Sequence, residues 1–414
     1  MSEVGSFVVV VLKLWLQIIL SPLFLVLIIV VGWQYRRMQR MSQGLFPTNR
    51  NMYIRSTLLS TLVGIAGGVA GSAGLLGLGV DLARMGIAYL FITAILLMLI
   101  HPRFLCFAYA GGIISVSHLV FGWPDVSVGQ LMGLVAVLHM VESMLIYFSG
   151  HIDPMPVYVQ TERHGVVGGF NLQKFWPIPL VAVMSVVDPR TASTGITLPD
   201  WWRAGWWALF HDSSGVPSSV SYVLLPIIAI LGYGEVTTTA SPRQKSKVSA
   251  RNLFCFSLVL LILSVMASRN PHLCILPALF GPLGHELVIW LGIKAESEAT
   301  PSYVMPERGV MILEVLPGST AAQAGLKRGD VVVGVNGLTV NSREEMEALL
   351  RYYGGELQLE ICREGQDFSS SFARKPGQSL GIVLVPDPGE EGVRRRHAAF
   401  RSQRFLNWLK RFLR

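Results

Sequence analysis

Long apolar runs recur through the first three quarters of the chain, and most approach the ~20 residues that an α-helix needs to cross a bilayer. We interpret about eight or nine of them as spans, which predicts a polytopic α-helical membrane domain over residues 1–293. The runs are Phe7–Trp33, Ser56–Val80, Met85–Ile100, Phe104–Phe121, Val128–Phe148, Phe175–Val187, Val216–Gly232, Leu253–Ala267 and Cys274–Leu291.

Two of these runs are irregular. Phe7–Trp33 contains Pro22, so it is consistent with a tilted span, a kinked span or a re-entrant pair of helices. Phe175–Val187 is short for a crossing and contains two prolines. The pattern therefore indicates a multi-span protein more firmly than it fixes the number of spans.

After residue 300 the pattern changes to short strands separated by turns and two helices, which predicts an α/β domain over residues 300–388. Ser342 and Glu345 form a capping box, and the helix that follows them has an apolar face. The predicted strands are Gly309–Leu316, Val331–Val335, Glu356–Arg363 and Gln366–Arg374. A small-residue turn and short helix, Pro317–Leu326, separates the first two.

This order of elements resembles the PDZ domains of bacterial membrane and protease proteins. The Leu-Gly loop at Ser379–Ile382 comes late, which is similar to the circularly permuted PDZ domains of site-2 proteases. The resemblance implies that the loop binds a peptide carboxylate and that the next strand pairs with the peptide. The implied groove residues are Leu380, Gly381, Ile382, Leu384, Met346 and Leu350. The alternative is a closing strand with a self-filled groove, and the sequence does not distinguish a carboxyl-terminal ligand from an internal one.

Composition excludes an ordinary soluble domain, because 51% of the 414 residues are hydrophobic, 14% are charged and the mean hydropathy is +0.50. The net charge of +8 is concentrated in residues 393–414, which contain no acidic residue. Phe405, Trp408, Leu409, Phe412 and Leu413 would form one stripe of a helix there. The basic residues include Arg394, Arg395, Arg396, Lys410 and Arg411.

We interpret this segment as an amphipathic basic C-terminal helix on anionic membrane lipids, because it is tethered below a bilayer that attracts basic residues. An acidic protein is the alternative partner, and we expect no nucleic acid. The clusters Arg36–Arg55 and Arg243–Arg251 are predicted to face the cytoplasm. This orientation makes the protein a multi-pass cell-membrane protein whose PDZ-like domain and carboxyl terminus are cytoplasmic.

The sequence lacks a complete catalytic constellation. His285 and Glu286 begin like the His-Glu-x-x-His of intramembrane zinc proteases, but Ile289 occupies the position of the second histidine. The cysteines Cys106, Cys255, Cys274 and Cys362 occur singly, without the spacing of a disulfide framework or a zinc site. We therefore expect no enzyme activity, no metal and no cofactor.

An ionisable pair lies within a predicted span. His139 and Glu142 are three residues apart, so they share a helix face. Such a pair is a candidate for proton relay, but we prefer a hydrogen bond between helices, with His118 as a partner. The spacings Gly64/Gly68 and Gly67/Gly71 permit close helix contact and are weak evidence for a homo-oligomer.

The whole arrangement resembles the MinJ-like division-site topological determinants of Gram-positive bacteria. The resemblance covers the spans, the basic loop before the last pair of spans, the Leu-Gly-Ile of the PDZ-like domain, the Gly168–Pro177 loop and the tryptophans near Trp201. It implies a scaffold that links a DivIVA-type marker to Min proteins. The alternatives are an inactive site-2-protease-like regulator of proteolysis and a transporter-like protein with a regulatory PDZ domain.

Overall fold

The computed structural model describes residues 3–43, 52–161, 163–186, 210, 221–374 and 378–387. Eight helices precede the C-terminal domain in this part of the chain: α1 Glu3–Leu20, α2 Pro22–Gln43, α3 Met52–Leu78, α4 Ile87–Ile100, α5 Phe107–Phe121, α6 Val128–Ser149, α7 Pro242–Arg269 and α8 Ile275–Glu298. The predicted tail at 393–414 and the Trp201 segment lie outside the described residues.

Among the residues that the structure describes, four helical segments are long and apolar enough to cross a membrane: α3, α6, α7 and Pro271–Glu298, which contains α8. The apolar parts of α1 and α2 pass the same test together, but they bend by 53° at Ser21. The helices α4 and α5 have 14 and 15 residues. At 1.5 Å per residue these are roughly 21–23 Å long, shorter than the ~30 Å hydrocarbon core.

Two of the predicted spans are wrong. Phe175–Val187 and Val216–Gly232 fall on β3 (Lys174–Val186) and β4 (Ser221–Tyr233), which form an antiparallel pair from Lys174 opposite Tyr233 to Val186 opposite Ser221. A continuous apolar run is typical of a buried strand as well as of a helix, so hydrophobicity alone did not distinguish them.

The glycines of α3 allow β3 to lie directly against that helix. A Cβ atom added at Gly64 or Gly68 would overlap the carbonyl oxygen of Pro177 or Pro179, and one added at Gly67 would meet Leu145 of α6. The small-residue spacings are therefore used for contacts within the chain. They provide no evidence for an oligomer.

Burial in the helical region is the reverse of that in a water-soluble protein. Many large apolar side chains are exposed, including Leu62, Leu99 and Leu283, whereas Ser115 and Ser257 are fully buried. Exposed apolar surface on this scale indicates contact with lipid.

A small sheet lies between the helices and the C-terminal domain. It contains β1 (Met155–Thr161), β2 (Gly165–Asn171) and β5 (Val236–Thr237), in the order β1-β2-β5. The backbone N–H of Gly168 donates a 2.8 Å hydrogen bond to the carbonyl of Tyr303, and the guanidinium of Arg328 lies 4.3 Å from the ring centre of Phe170. These contacts dock the C-terminal domain on the small sheet.

The C-terminal domain consists of one sheet and two helices. Its strands are β6 Val310–Val315, β7 Val331–Val335, β8 Leu338–Thr339, β9 Gly355–Arg363, β10 Gln366–Arg374 and β11 Ile382–Leu384, and its helices are α9 Thr320–Gln323 and α10 Arg343–Tyr352. The sheet order is β10-β9-β7-β6-β11, with β8 paired to β7. The strand β11, the last of the described strands, therefore forms one edge.

Candidate peptide-binding groove

A groove with a volume of 490 Å³ separates α10 from the edge strand β11. Its walls combine apolar and cationic side chains with the backbone of the Leu-Gly loop. The lining residues are Tyr158, Arg343, Glu347, Leu350, Arg351, Arg374, Gln378, Ser379, Leu380, Gly381, Ile382, Val383 and Leu384. An elongated site between a helix and an exposed strand edge suits an extended peptide.

The backbone of β11 presents hydrogen-bonding groups to this groove. The N–H of Leu316 donates a 2.8 Å hydrogen bond to the carbonyl of Gly381. Because antiparallel ladders alternate between hydrogen-bonded and non-hydrogen-bonded pairs, Ile382 directs its own N–H and C=O away from β6, toward the groove. The strand is thus arranged to accept another strand.

Gly381 is required by the shape of the loop. Its φ is +75°, and a Cβ atom there would overlap Ser319. Both facts restrict the position to glycine. The loop residue Leu380 is buried in the domain core, so it offers its backbone rather than its side chain to a ligand.

The structure separates the two α10 residues that the sequence assigned to the groove. Leu350 lines it. Met346 does not: it is fully buried in the core with Val335 and Leu359. Both side chains share one face of α10 because they are four residues apart, but Met346 is enclosed by the core whereas Leu350, one turn later, is only partly buried and so remains open to the groove.

Sequence reasoning missed a cation beside the Leu-Gly loop. Arg374, at the end of β10, is buried, and its Nη2 donates a 2.6 Å hydrogen bond to the carbonyl of Leu350. Its buried Nε has no hydrogen-bond partner among the described residues. A ligand carboxylate in the groove would satisfy this donor with a charge-assisted bond.

The opposite end of the groove is covered by the small sheet. The hydroxyl of Tyr158 on β1 donates a 2.6 Å hydrogen bond to the carbonyl of Leu384, and Arg343 Nη1 lies 3.4 Å from the same hydroxyl. Arg343 Nε also donates to Glu347 Oε1 at 2.9 Å. No local sequence pattern predicts this cover, because Tyr158 and Leu384 are 226 residues apart in the chain.

The polar groups of the helical region are arranged differently from the prediction. His118 lies 2.9 Å from the carbonyl of Pro124 and does not join His139. Instead, His139 Nε2 lies 3.1 Å from the sulfur of Cys106, which lies 3.6 Å from His285 Nε2. Glu286 accepts a 2.7 Å hydrogen bond from Tyr109 and pairs with Arg103.

Comparison with known proteins shows which proteins this chain resembles. The PDZ domain model matches residues 285–362. The cell division topological determinant MinJ of Bacillus subtilis (strain 168) is 24% identical over 278 residues, which cover 65% of this chain and 63% of that protein. The chain contains a PDZ domain and is similar to MinJ. The matched PDZ segment begins within α8 and ends before β10, so the structural domain extends beyond it.

Two further relatives show how the similarity is distributed. The probable MinJ of Lacticaseibacillus paracasei is 26% identical over 276 residues, covering 61% of this chain and 65% of the relative. Serine protease HTRA1 of Xenopus laevis is 34% identical over 83 residues, only 20% of this chain and 18% of the protease. The protease likeness is confined to the PDZ part, and this chain spans less than two thirds of the MinJ proteins named here.

Proposed function

We propose that the protein is a non-enzymatic membrane scaffold that recruits a protein partner through the groove between α10 and β11, in cell-division site selection. One observation carries this proposal: an exposed strand edge, a Leu-Gly loop and the unpartnered Nε of Arg374 converge on one groove. The similarity to MinJ supports the division role.

The groove favours a carboxyl-terminal peptide. The loop at Leu380–Gly381 and the guanidinium of Arg374 together suit a terminal carboxylate. At the other end of the groove, Tyr158 and Arg343 restrict the length of peptide that can pair with β11. By analogy with the family resemblance, the partner is a DivIVA-type marker or a Min protein. The late position of β11 supports a permuted PDZ domain over residues 300–388.

The PDZ domain is proposed to be cytoplasmic. α7 and α8 are consecutive apolar helices, and Lys245 near the start of α7 lies 3.4 Å from Glu296 near the end of α8. The domain after α8 is therefore on the same side as the basic start of α7, which the positive-inside rule assigns to the cytoplasm. Residues 393–414 would then act as a basic helix on anionic lipids, keeping the domain near the membrane.

The test is crosslinking and capture from membranes, with Leu350→Glu compared with Tyr352→Glu in the full-length chain. Leu350 lines the groove, whereas Tyr352 is exposed on the same helix and does not line it. We expect Leu350→Glu to abolish capture of a division partner because it places a carboxylate beside the peptide. Tyr352→Glu should leave capture unchanged.

Arg374→Gln tests how the ligand is held. The partner's terminal peptide should bind this variant roughly 10-fold to 100-fold more weakly, since hydrogen bonds to charged groups contribute about 1.5–3 kcal/mol. Amidating the peptide should produce a similar loss in the unmodified protein. Equal binding of the free and amidated peptides would contradict carboxylate recognition, and unchanged capture by Leu350→Glu would move the recognition site elsewhere.

A further inference from the structure

Three metal-binding side chains from different parts of the sequence meet within the helical region. Cys106 is the N-cap residue of α5, His139 is on α6 and His285 is on α8. One ligand atom from each lies within 4.8 Å of the other two. No spacing in the sequence indicates this, because the three positions are brought together only by helix packing.

The distances suit a single ion. The sulfur of Cys106 lies 3.1 Å from His139 Nε2 and 3.6 Å from His285 Nε2. Ligand atoms on a tetrahedral zinc ion with Zn–N near 2.0–2.1 Å and Zn–S near 2.3 Å are about 3.3–3.6 Å apart. A small adjustment of the side chains would place one ion at bonding distance from all three.

The other ring nitrogens are oriented as metal ligands require. His139 Nδ1 lies 2.7 Å from the carbonyl of Val135, so it carries the proton and leaves Nε2 free for a metal. His285 Nδ1 lies 3.4 Å from the Tyr109 hydroxyl, which in turn donates to Glu286 at 2.7 Å. Both imidazoles therefore direct Nε2 toward the sulfur.

The surroundings would hold such a site in a defined shape. The ring of Phe256 lies 5.6 Å from His139 and 5.7 Å from His285, centre to centre, forming an apolar wall. The backbone N–H of Ala108 donates to the Cys106 sulfur at 3.4 Å. Glu142 lies one helical turn after His139 on α6.

We propose that Cys106, His139 and His285 bind one zinc-class transition-metal ion. Two imidazoles and a thiolate favour Zn²⁺ or Cu(I) over Mg²⁺ or Ca²⁺, which prefer oxygen ligands. Binding releases the thiol proton of Cys106. The proposal revises the expectation of a metal-free protein and is independent of the peptide groove.

The ion would crosslink the amino end of α5 with α6 and α8. Because α8 leads directly into the PDZ domain, the site would fix the helix that carries the domain relative to the rest of the bundle. Three protein ligands leave a fourth coordination position for water or another group.

The experiment uses the full-length chain purified in detergent under reducing conditions with an affinity tag that contains no histidine. After chelation and dialysis, the protein is loaded with Zn²⁺, Co²⁺ or Cu(I), and bound metal is measured by mass spectrometry. We expect one ion per chain, thiolate-to-Co²⁺ charge-transfer absorption, and a higher thermal midpoint with Zn²⁺ because an ion that binds only the folded state stabilises it. A comparison of the Zn²⁺ and Cu(I) affinities identifies the preferred metal.

Cys106→Ser, His139→Gln and His285→Gln should each weaken binding by at least about 10-fold to 100-fold. Cys274→Ser and His118→Gln are matched controls, because neither side chain belongs to the cluster, and both should retain the ion. Failure of the unmodified, folded chain to take up any of the three metals would overturn the proposal, whatever the variants do. Unchanged metal binding in each of the three ligand variants would also overturn the proposal.

Discussion

The PDZ domain and the helical region place the same residue types in opposite environments. Leu359 in the PDZ sheet is fully buried, whereas Leu62 on α3 is 65% exposed. Conversely, Ser72 on α3 is buried, and its hydroxyl oxygen accepts a 2.9 Å hydrogen bond from the N–H of Val181. Water drives apolar side chains inward in one region. In lipid the other region depends on close backbone packing and internal polar contacts.

The largest expected effect comes from one substitution made in both regions. Leu359→Ala should destabilise the PDZ domain by about 2–5 kcal/mol, because it removes a fully buried side chain and leaves a cavity. Leu62→Ala should change stability by less than about 0.5 kcal/mol, since its side chain is in contact with lipid in both the folded and the disassembled helix. Thermal and denaturant unfolding of each full-length variant in detergent measure the difference. Equal losses would contradict the assignment of α3's exposed face to lipid.

Glycines on α3 provide the reciprocal comparison. Gly68→Ala should cost about 1–3 kcal/mol, because the added Cβ overlaps the carbonyl of Pro179 on β3. Gly77→Ala on the same helix meets nothing within 4 Å and should be neutral or slightly stabilising. Unfolding of both variants under identical detergent conditions measures the effect. A tolerated Gly68→Ala would mean that β3 does not lie against α3.

The PDZ elements were readable in the sequence because their signals are local. The turn at Glu364 and Gly365, with φ values of 51° and 82°, joins β9 and β10 as predicted. Ser342 accepts a hydrogen bond from the N–H of Glu345, as its capping pattern predicts. Turn and cap chemistry act over a few residues, so one sequence suffices to identify them.

The membrane-side features were not readable because they depend on long-range contacts. β3 and β4 are continuous apolar runs like the helical spans, and they form strands by pairing with each other over α3. Arg374 and Tyr158 reach the groove from β10 and from the small sheet, respectively. Cys106 joins His139 and His285 across 33 and 179 residues. No local sequence pattern encodes these contacts between distant residues.

A smaller effect should appear where the two regions meet. Tyr158→Phe removes the hydroxyl that donates to the carbonyl of Leu384, and we expect a loss of about 0.5–1.5 kcal/mol in unfolding free energy. Hydrogen exchange at the amides of β11 should become faster. Tyr352→Phe is the matched control, because Tyr352 is 81% exposed. Unchanged exchange in Tyr158→Phe would mean that the small sheet does not hold β11.

The smallest effect concerns Glu314, on the face of the PDZ domain that approaches the helices. Burial raises the pKa of its carboxyl group above 4.5, while the neighbouring Arg328 partly offsets that rise. A raised folded-state pKa gives a contribution to stability that is fully present below the unfolded value and is lost as pH rises through the folded value. Glu314→Gln should therefore reduce the loss of stability as pH rises from 4.5, measured by denaturant unfolding across that range.

Glu344→Gln, at an exposed position on α10, should leave the pH profile unchanged. A profile in Glu314→Gln identical to that of the unmodified chain would place Glu314 in water rather than at a buried contact between the two regions.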